Sequence, residues 1–250
     1  MLLGLMGAMP EEMDKVIAAI TDKTVVERGS RLYYRGKLYG QEVVAVFSRW
    51  GKVAAATTTT NLILEFDVKK IIFTGVAGAI SPDLNVGDIV VAQRLFQHDM
   101  DARPLMRRFE IPLTGKTSFE TLESDVVEMS NAVHNFLKKN KTFRASLAEK
   151  GIQNPKLMLG DVASGDLFIS SSEMKKALIR NLPSVVCAEM EGAAVAQVCH
   201  DFNIPLCVVR IISDSADEKA HKSAVGFVQN HAADFSLSIL KEYLSGLSKE

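Results

Sequence analysis

Apolar runs typical of buried strands alternate with helical patterns along most of the chain, and this alternation restricts the fold more than any other feature. The run at residues 206–209 contains no polar position, so we expect a strand that is buried on both faces. Strands of this kind occur in sheets that helices cover on both sides. The sequence therefore predicts the α/β class, with a central, mostly parallel or mixed β-sheet flanked by helices.

The expected elements run from one end of the chain to the other. Strands are expected at residues 2–6, 31–39, 42–48, 70–74, 88–96, 156–163, 185–188 and 205–212, and helices at 11–20, 52–65, 123–139, 173–181, 190–202 and 222–246. The segment 98–120 is rich in Pro, Arg and Thr without a clear period, which predicts a loop or lid. Since the sequence shows neither linker nor repeat, residues 1–250 are expected to form one domain.

Composition excludes several classes of function. The formal net charge is −1, and basic residues cluster only at 103–108 and 138–141, so we expect no nucleic-acid partner. The apolar start of the chain is too short for a membrane span and lacks a basic leader, so we expect no membrane partner. The three cysteines match neither zinc-site nor redox spacing, which favours buried, reduced thiols. Together these features predict a cytoplasmic location.

Acidic residues stand where folding alone does not require them. Glu189 and Glu191 flank Met190 where an apolar run meets an Ala-rich helix, and Ser213 and Asp214 follow the buried run at 206–209. Because open α/β sheets bind ligands at the carboxyl ends of their strands, we expect these side chains to share a site. Glu12 follows the first strand in the same way, although a helix cap explains that residue equally well on its own.

Other chemistries fit the sequence less well. Residues 74–79 lack the full dinucleotide fingerprint, which excludes a nicotinamide cofactor, and the histidines show no metal-ligand spacing with the acids. No GxSxG motif is present and Ser213 has no evident base. The turn at 164–169 carries Phe168, which either stacks on a flat ring or simply lies in the core beside a helix cap. Carboxylate acid/base chemistry on a glycosidic bond remains.

A series of motifs resembles one known family over nearly the whole chain. The motifs are GAMPEEM at 7–13, GKVAAATTTT at 51–60, FTGVAGA at 73–79, NVGDIVVA at 85–92, SGDLFI at 164–169, AEMEGAAVAQVCH at 188–200 and VRIISDSAD at 209–217. In this order they are similar to those of the methylthioadenosine/S-adenosylhomocysteine nucleosidases of the purine nucleoside phosphorylase superfamily. The GVAGA turn and the QHDMD string at 97–101 look most like the branch that also cleaves 6-amino-6-deoxyfutalosine.

The resemblance implies a nucleoside phosphorylase/hydrolase-type fold and a role for each acid. Asp214 is expected to protonate N7 of adenine, which requires a raised pKa, while Ser213 orients its carboxyl group. Glu12 is expected to deprotonate the attacking water at C1′, and Glu191 to accept hydrogen bonds from the ribose hydroxyls. Glu189 is expected to help fix the water or the Glu12 side of the site. No metal or organic cofactor is implied.

The resemblance also implies the walls of a nucleoside pocket. Phe168 is expected to stack on adenine, the main chain of Ile169 to read its edge, and Met9 and the backbone near Met190 to line the ribose. Three departures from the family pattern follow. Val76 stands where relatives often have Ser beside the water, Trp50 stands near the expected 5′ pocket, and Ala224 replaces a Phe that covers the 5′ substituent, so Phe227 is the candidate substitute.

Hydrolysis of 5′-modified adenosines by a homodimer is the function that this resemblance implies. The nearest alternative is a phosphate-dependent nucleoside phosphorylase, which needs arginines at the phosphate. The first turn contains none, which leaves Arg49 and Arg210 as the residues that could serve. A nucleoside-binding protein without activity is the second alternative, but it would be expected to lose Glu12 or Asp214.

Overall fold

The computed structural model describes residues 1–139, 145, 147–149, 152 and 154–247. In this part of the chain the strands are β1 (Leu3–Gly7), β2 (Thr21–Arg28), β3 (Arg31–Leu38), β4 (Gln41–Phe47), β5 (Lys70–Ala79), β6 (Ile89–Gln97), β7 (Phe119–Glu120), β8 (Leu157–Ser164), β9 (Val185–Glu189) and β10 (Leu206–Asp214). The helices are α1 (Pro10–Ala18), α2 (Lys52–Leu64), α3 (Glu123–Lys139), α4 (Ser172–Asn181), α5 (Gly192–Asp201), α6 (Ala220–Phe227) and α7 (Ala233–Leu247), with a π-helix at Val228–Ala232 between the last two.

The strands form one mixed sheet that partly closes on itself. Strands β5, β10, β6, β8 and β9 pair in this order, and β9 pairs back to β5. From β5 the sheet continues through β1, β4 and β3 to β2 at its edge. The pairing of β5 with β9 is antiparallel and limited to Gly78 with Ala188 and Ala79 with Cys187. Because these residues lie within the last three positions of each strand, the carboxyl ends of β5 and β9 meet.

Helices cover both faces of the sheet, which explains the apolar strands. Every residue of β1 and of β10 is buried. On one face, α2 and α5 pack together, and on the other face α1 and α3 both pack against α7. The predicted α/β class with a central mixed sheet flanked by helices is confirmed. Within the described residues, none of the helices has the length and apolar character needed to cross a bilayer.

The structure differs from the prediction at three elements, each for a physical reason. Strand β2 was not predicted because nearly all of its residues are exposed and it pairs with β3 alone, so no apolar pattern marks it. Strand β5 runs on to Ala79, whereas the prediction ended it before the glycines at 75 and 78. The predicted closing helix at 222–246 is interrupted by the π-helix, a feature that adds a residue to a turn.

The segment 98–120 is irregular apart from β7, as predicted, but it is not a lid over this chain's own cavity because none of its residues lines that cavity. The basic cluster at 138–141 lies partly outside the described residues, as do several positions between 140 and 153. All three cysteines are buried and free, as expected. Burial raises the pKa of the Cys199 and Cys207 thiols to about 12, which makes them unreactive near neutral pH.

Candidate active site

One cavity of about 460 Å³ opens where the carboxyl ends of β1, β5, β9 and β10 converge. Helix α6 and the π-helix close its outer side through Ala224, Val228 and Gln229. Its walls include every residue that the sequence placed in the site, namely Met9, Glu12, Trp50, Val76, Phe168, Ile169, Glu189, Met190, Glu191, Ser213 and Asp214. The structure thus brings together residues that are up to 205 positions apart in the sequence.

Glu12 is held by the backbone of two strand ends. Its Oε2 accepts hydrogen bonds from the amides of Ala8 at 2.7 Å and Met9 at 3.0 Å, which is the helix cap anticipated from the sequence. Its Oε1 accepts a third bond from the amide of Val76 in β5 at 2.9 Å, which a cap does not explain. Burial raises the pKa of Glu12, although Arg210 and these amides oppose the shift.

The glycine at position 75 makes room for this carboxylate. A Cβ atom on Gly75 would lie 2.7 Å from Oε1 of Glu12, closer than any unstrained contact. Gly78 has the same relation to Asp214, because its Cβ would lie 2.8 Å from Oδ1. The two glycines that the sequence suggested as a turn therefore lie within a strand, and they are needed because two carboxylates lie against the backbone.

Asp214 ends β10 with its carboxyl group fixed at both oxygens. The hydroxyl of Ser213 donates to Oδ2 at 2.8 Å, and the amide of Ala216 donates to Oδ1 at 2.8 Å. Burial raises the pKa of Asp214, while the hydrogen bonds from Ser213 and Ala216 oppose the shift. The raised pKa is the property that a general acid needs.

Glu191 precedes the first residue of α5 and faces the start of α2. Its Oε1 accepts a hydrogen bond from the amide of Gly51 at 2.7 Å. Burial and the nearby charge of Glu189 raise the pKa of Glu191 to about 8. Gly51 has a φ of 90°, in the region that favours glycine, so its backbone can turn this amide toward the carboxylate.

Glu189 has both oxygens occupied by protein donors. The guanidinium of Arg210 donates to Oε2 at 2.8 Å, the amide of Gly192 donates to the same oxygen at 2.8 Å, and the hydroxyl of Ser164 donates to Oε1. Arg210 is almost fully buried and its guanidinium lies 4.0 Å from the centre of the Phe73 ring. Glu189 thus neutralises a buried cation and fixes the backbone that carries Glu191.

The remaining predicted residues form the apolar walls. Trp50 and Phe168 line the cavity while 67% and 43% of their respective surfaces stay exposed, and Ile169 is buried beside them. Of the two readings of Phe168, the core residue is wrong, since the ring lies at the mouth of the cavity. Ala224 lines the cavity, whereas Phe227 is buried with the core of α7 and does not, so it does not replace the missing phenylalanine.

A polar clamp that sequence reasoning missed joins the loops around the cavity. The Nζ atom of Lys52 lies 2.7 Å from Oδ1 of Asp99, and the amide of Asp166 donates to Oδ2 of Asp99 at 2.9 Å. Oδ1 of Asp166 in turn accepts from the amide of Lys52 at 2.8 Å. Only the presence of Lys52 in the GKV motif and of Asp166 in the SGD motif could have suggested these contacts.

Cations and metal-binding clusters are absent from the described part of this site. No lysine or arginine belongs to the cavity lining, and the described residues contain no cluster of three or more His, Cys, Asp or Glu side chains suited to a metal ion. Arg210 is occupied by Glu189, and Arg49 donates to the carbonyl of Ser30 at 2.7 Å. The two arginines considered for phosphate are therefore engaged elsewhere.

Comparisons with known proteins agree on one family. The model of the phosphorylase superfamily matches residues 2–245. An aminodeoxyfutalosine nucleosidase of Helicobacter pylori strain J99 is 36% identical over 96% of this chain and 98% of its own length. A 5′-methylthioadenosine/S-adenosylhomocysteine nucleosidase of Staphylococcus haemolyticus is 34% identical over 98% of this chain and 100% of its own length.

A solved structure supports the same assignment. The 5′-methylthioadenosine/S-adenosylhomocysteine nucleosidase of Neisseria meningitidis, in complex with methylthio-immucillin-A, superposes with a TM-score of 0.87 at 30% identity. The match covers 98% of this chain and 99% of that protein. With the sequence match over nearly its full length, the converging strand ends and the three buried acids, the chain belongs to the nucleosidases of the phosphorylase superfamily.

Proposed function

We propose that this protein hydrolyses the N-glycosidic bond of 5′-modified adenosines, with Asp214 as general acid and Glu12 as general base. The observation that carries the proposal is the convergence of Glu12, Glu191 and Asp214 on one cavity whose described lining contains no cation. A carboxylate can accept a proton from water, whereas it repels phosphate. The site therefore favours water over phosphate as the nucleophile.

Asp214 supplies the proton for the leaving base. Burial keeps this carboxyl group protonated to a higher pH than usual, so it can donate to N7 of adenine as the bond between C1′ and N9 breaks. The electron pair of that bond goes to the adenine ring, which leaves as a neutral base. Ser213 and Ala216 then stabilise the carboxylate that remains, because each already donates to one of its oxygens.

Glu12 receives the proton of the attacking water. Three backbone amides hold its carboxylate in one orientation, which lowers the entropy cost of placing the base. Its raised pKa makes it a better proton acceptor than an exposed glutamate. The serine hydroxyl expected in relatives is a valine here, and the amide of Val76 supports Glu12 instead. Water oxygen joins C1′, and the products are adenine and a 5′-modified ribose.

Glu191 is placed to bind the ribose. One of its oxygens accepts the Gly51 amide, and the other has no partner among the described residues, which leaves it for the 2′- and 3′-hydroxyls. Phe168 at the mouth of the cavity offers a face for adenine, and Met9 and Met190 offer apolar contacts for the sugar.

The names of the relatives suggest the class of 5′ substituent. Relatives of similar identity are called aminodeoxyfutalosine nucleosidase and 5′-methylthioadenosine/S-adenosylhomocysteine nucleosidase, so all three nucleosides are candidate substrates. Two positions distinguish this cavity from the family pattern. Trp50 adds an indole to the expected 5′ side, and Ala224 removes a phenyl ring from it. We expect these two positions to set the order of preference.

The active form is proposed to be a homodimer. Trp50, Val53 and Leu105 expose between 67% and 88% of their surfaces, and the ion pair of Lys52 with Asp99 joins the two segments that carry them. A second copy of the chain is the expected cover for these apolar side chains. Light scattering should give a mass of twice 27.4 kDa, and a monomer mass at assay concentration would refute this part of the proposal.

The function is tested by adenine release from purified protein. Methylthioadenosine, S-adenosylhomocysteine and 6-amino-6-deoxyfutalosine are each assayed with and without phosphate. We expect release that does not depend on phosphate and a free reducing sugar as the second product. Release only in the presence of phosphate, with a ribose 1-phosphate as product, would instead identify a phosphorylase, and no release at all would favour a binding protein.

A further inference from the structure

Lys175, in the first turns of α4, makes two contacts that neither the cavity nor the helix requires. Its Nζ donates to the carbonyl of Ala79 at 2.7 Å and to the carbonyl of Ser215 at 2.8 Å. Ala79 is the last residue of β5, and Ser215 is the first residue after β10. One ammonium group therefore joins a helix to the ends of two neighbouring strands.

Both carbonyls lie next to the position of the general acid. Asp214 pairs with Gly78 in the sheet, so Ser215 and Ala79 are the residues that directly follow this pair. The carboxyl group of Asp214 lies against Gly78, as the 2.8 Å distance from a Cβ built there shows. The ammonium of Lys175 is thus fixed to the backbone on each side of the carboxyl group.

A second contact ties the same turn to the same helix. Oε1 of Glu218 accepts from the amide of Ser172 at 2.9 Å, and its Oε2 accepts from the hydroxyl of Ser172 at 3.0 Å. The turn after β10 is therefore held at both of its ends by α4. Since α4 begins three residues after Ile169, this helix connects the expected adenine contacts to the acid.

The charge of Lys175 acts on Asp214 as well as on the turn. Burial lowers the pKa of Lys175, but Asp217 and Asp214 oppose that shift. In return the ammonium opposes the rise that burial produces in the pKa of Asp214, whereas Asp217 adds to it. His221 from α6 and the carboxyl groups of Glu11, Glu12, Glu189 and Glu191 are the other titratable groups in the cavity lining.

We propose that Lys175 is a positioning residue for the reaction, which holds the turn that carries Asp214 and stabilises the carboxylate left after Asp214 has protonated the leaving base. The inference rests on the proposed role of Asp214. Lys175 itself transfers no proton. It makes Asp214 a stronger acid, which favours donation to a weakly basic ring nitrogen.

The test separates charge from hydrogen bonding at this position. Lys175→Met removes both, Lys175→Gln keeps an N–H donor without charge, and Lys175→Arg keeps both. Lys176→Met, on the next and exposed residue of the same helix, is the matched control. For each variant, kcat and KM for adenine release are measured across pH, and the Tm is recorded to verify folding.

The two neutral variants should lower kcat by about tenfold and move its alkaline limb upward by about half a pH unit, because Asp214 then ionises less readily. Lys175→Arg and Lys176→Met should match the wild type.

A purely structural role would lower the Tm without moving the alkaline limb of kcat and would overturn the inference, as would wild-type profiles for Lys175→Gln. If Lys175→Met does not fold, Lys175→Gln decides alone. Absence of phosphate-independent adenine release from the wild type would instead refute the proposed function.

Discussion

Three acidic side chains in the cavity share one physical situation. Burial raises the pKa of Glu12, Glu191 and Asp214, and backbone amides hold each of them in place. The amides restrict the orientation of each carboxyl group but do not cancel the rise in its pKa that burial causes. Burial thereby shifts each carboxyl group toward its protonated form, so Asp214 can donate a proton at a higher pH than an exposed aspartate and Glu12, once ionised, is a stronger base than an exposed glutamate.

Glu191 should make the stability of the free protein depend on pH. Its pKa is about 8 in the folded chain against an ordinary value of 4.5, so the folded state holds a proton that the unfolded state loses. The free energy of unfolding contributed by this group is therefore greatest below pH 4.5 and falls as the pH rises to about 8. Glu191→Gln removes the titration while keeping an acceptor for the Gly51 amide.

The Tm of Glu191→Gln relative to the wild type should thus rise between pH 5 and pH 8, by roughly 10 °C for a shift of this size. Differential scanning calorimetry at the two pH values measures the difference. Glu27→Gln, on an exposed residue of the edge strand β2 and outside the cavity lining, serves as the control. An equal Tm difference at both pH values would show that Glu191 ionises normally in the folded chain.

At the scale of the elements, α2 and the loop after β8 are held together by the clamp of Lys52, Asp99 and Asp166. The clamp fixes the start of α2, where the Gly51 amide meets Glu191, and it fixes the loop that carries Phe168. Burial opposes ionisation of Asp99, but the hydrogen bonds from Lys52 and from the Asp166 amide have the larger combined effect and lower the pKa of Asp99. Asp99 therefore stays ionised at the pH values of interest.

Asp99→Ala should weaken substrate binding more than it slows the chemical step. The expected change is a rise in KM of about tenfold with a smaller fall in kcat, because the clamp orients binding groups and does not touch the reacting atoms. Steady-state adenine release measures both constants. Asp101→Ala, whose carboxylate pairs with Arg103 on the same loop, is the control. A loss confined to kcat, or an equal loss in both variants, would argue against this role.

The sequence predicted most elements, and the eleven site residues named from it all line the cavity, while its misses have identifiable causes. Strand β2 has no apolar face, so periodicity could not reveal it. The glycines of β5 indicated a turn because the local sequence gives no information about the carboxylates that pack against them in the fold. The contacts of Arg210 with Glu189 and of Lys175 with Ser215 join distant segments, and no local pattern encodes such pairs.

At the scale of the whole molecule, the topology of the sheet explains why the acids meet. Strands β5, β10, β6, β8 and β9 form a ring that contains both parallel and antiparallel pairs. Within this ring, β5 and β9 pair only at their carboxyl ends. Acidic residues that follow β9 and end β10 therefore reach the same cavity as Glu12, which follows β1. That residues 1–250 form one domain remains a prediction, which the participation of strands from both halves in one sheet supports.

The central claim is that Glu12 and Asp214 perform the chemistry while the remainder of the cavity binds the nucleoside. The most direct test measures turnover and affinity separately for Asp214→Asn and Glu12→Gln, with Asp201→Asn, on an exposed residue at the end of α5, as the control. Single-turnover adenine release should fall on the order of 10³-fold in both variants, because each loses a proton donor or acceptor of unchanged shape. Calorimetric titration should find nucleoside affinity largely retained. Near-normal turnover in either variant would contradict the account.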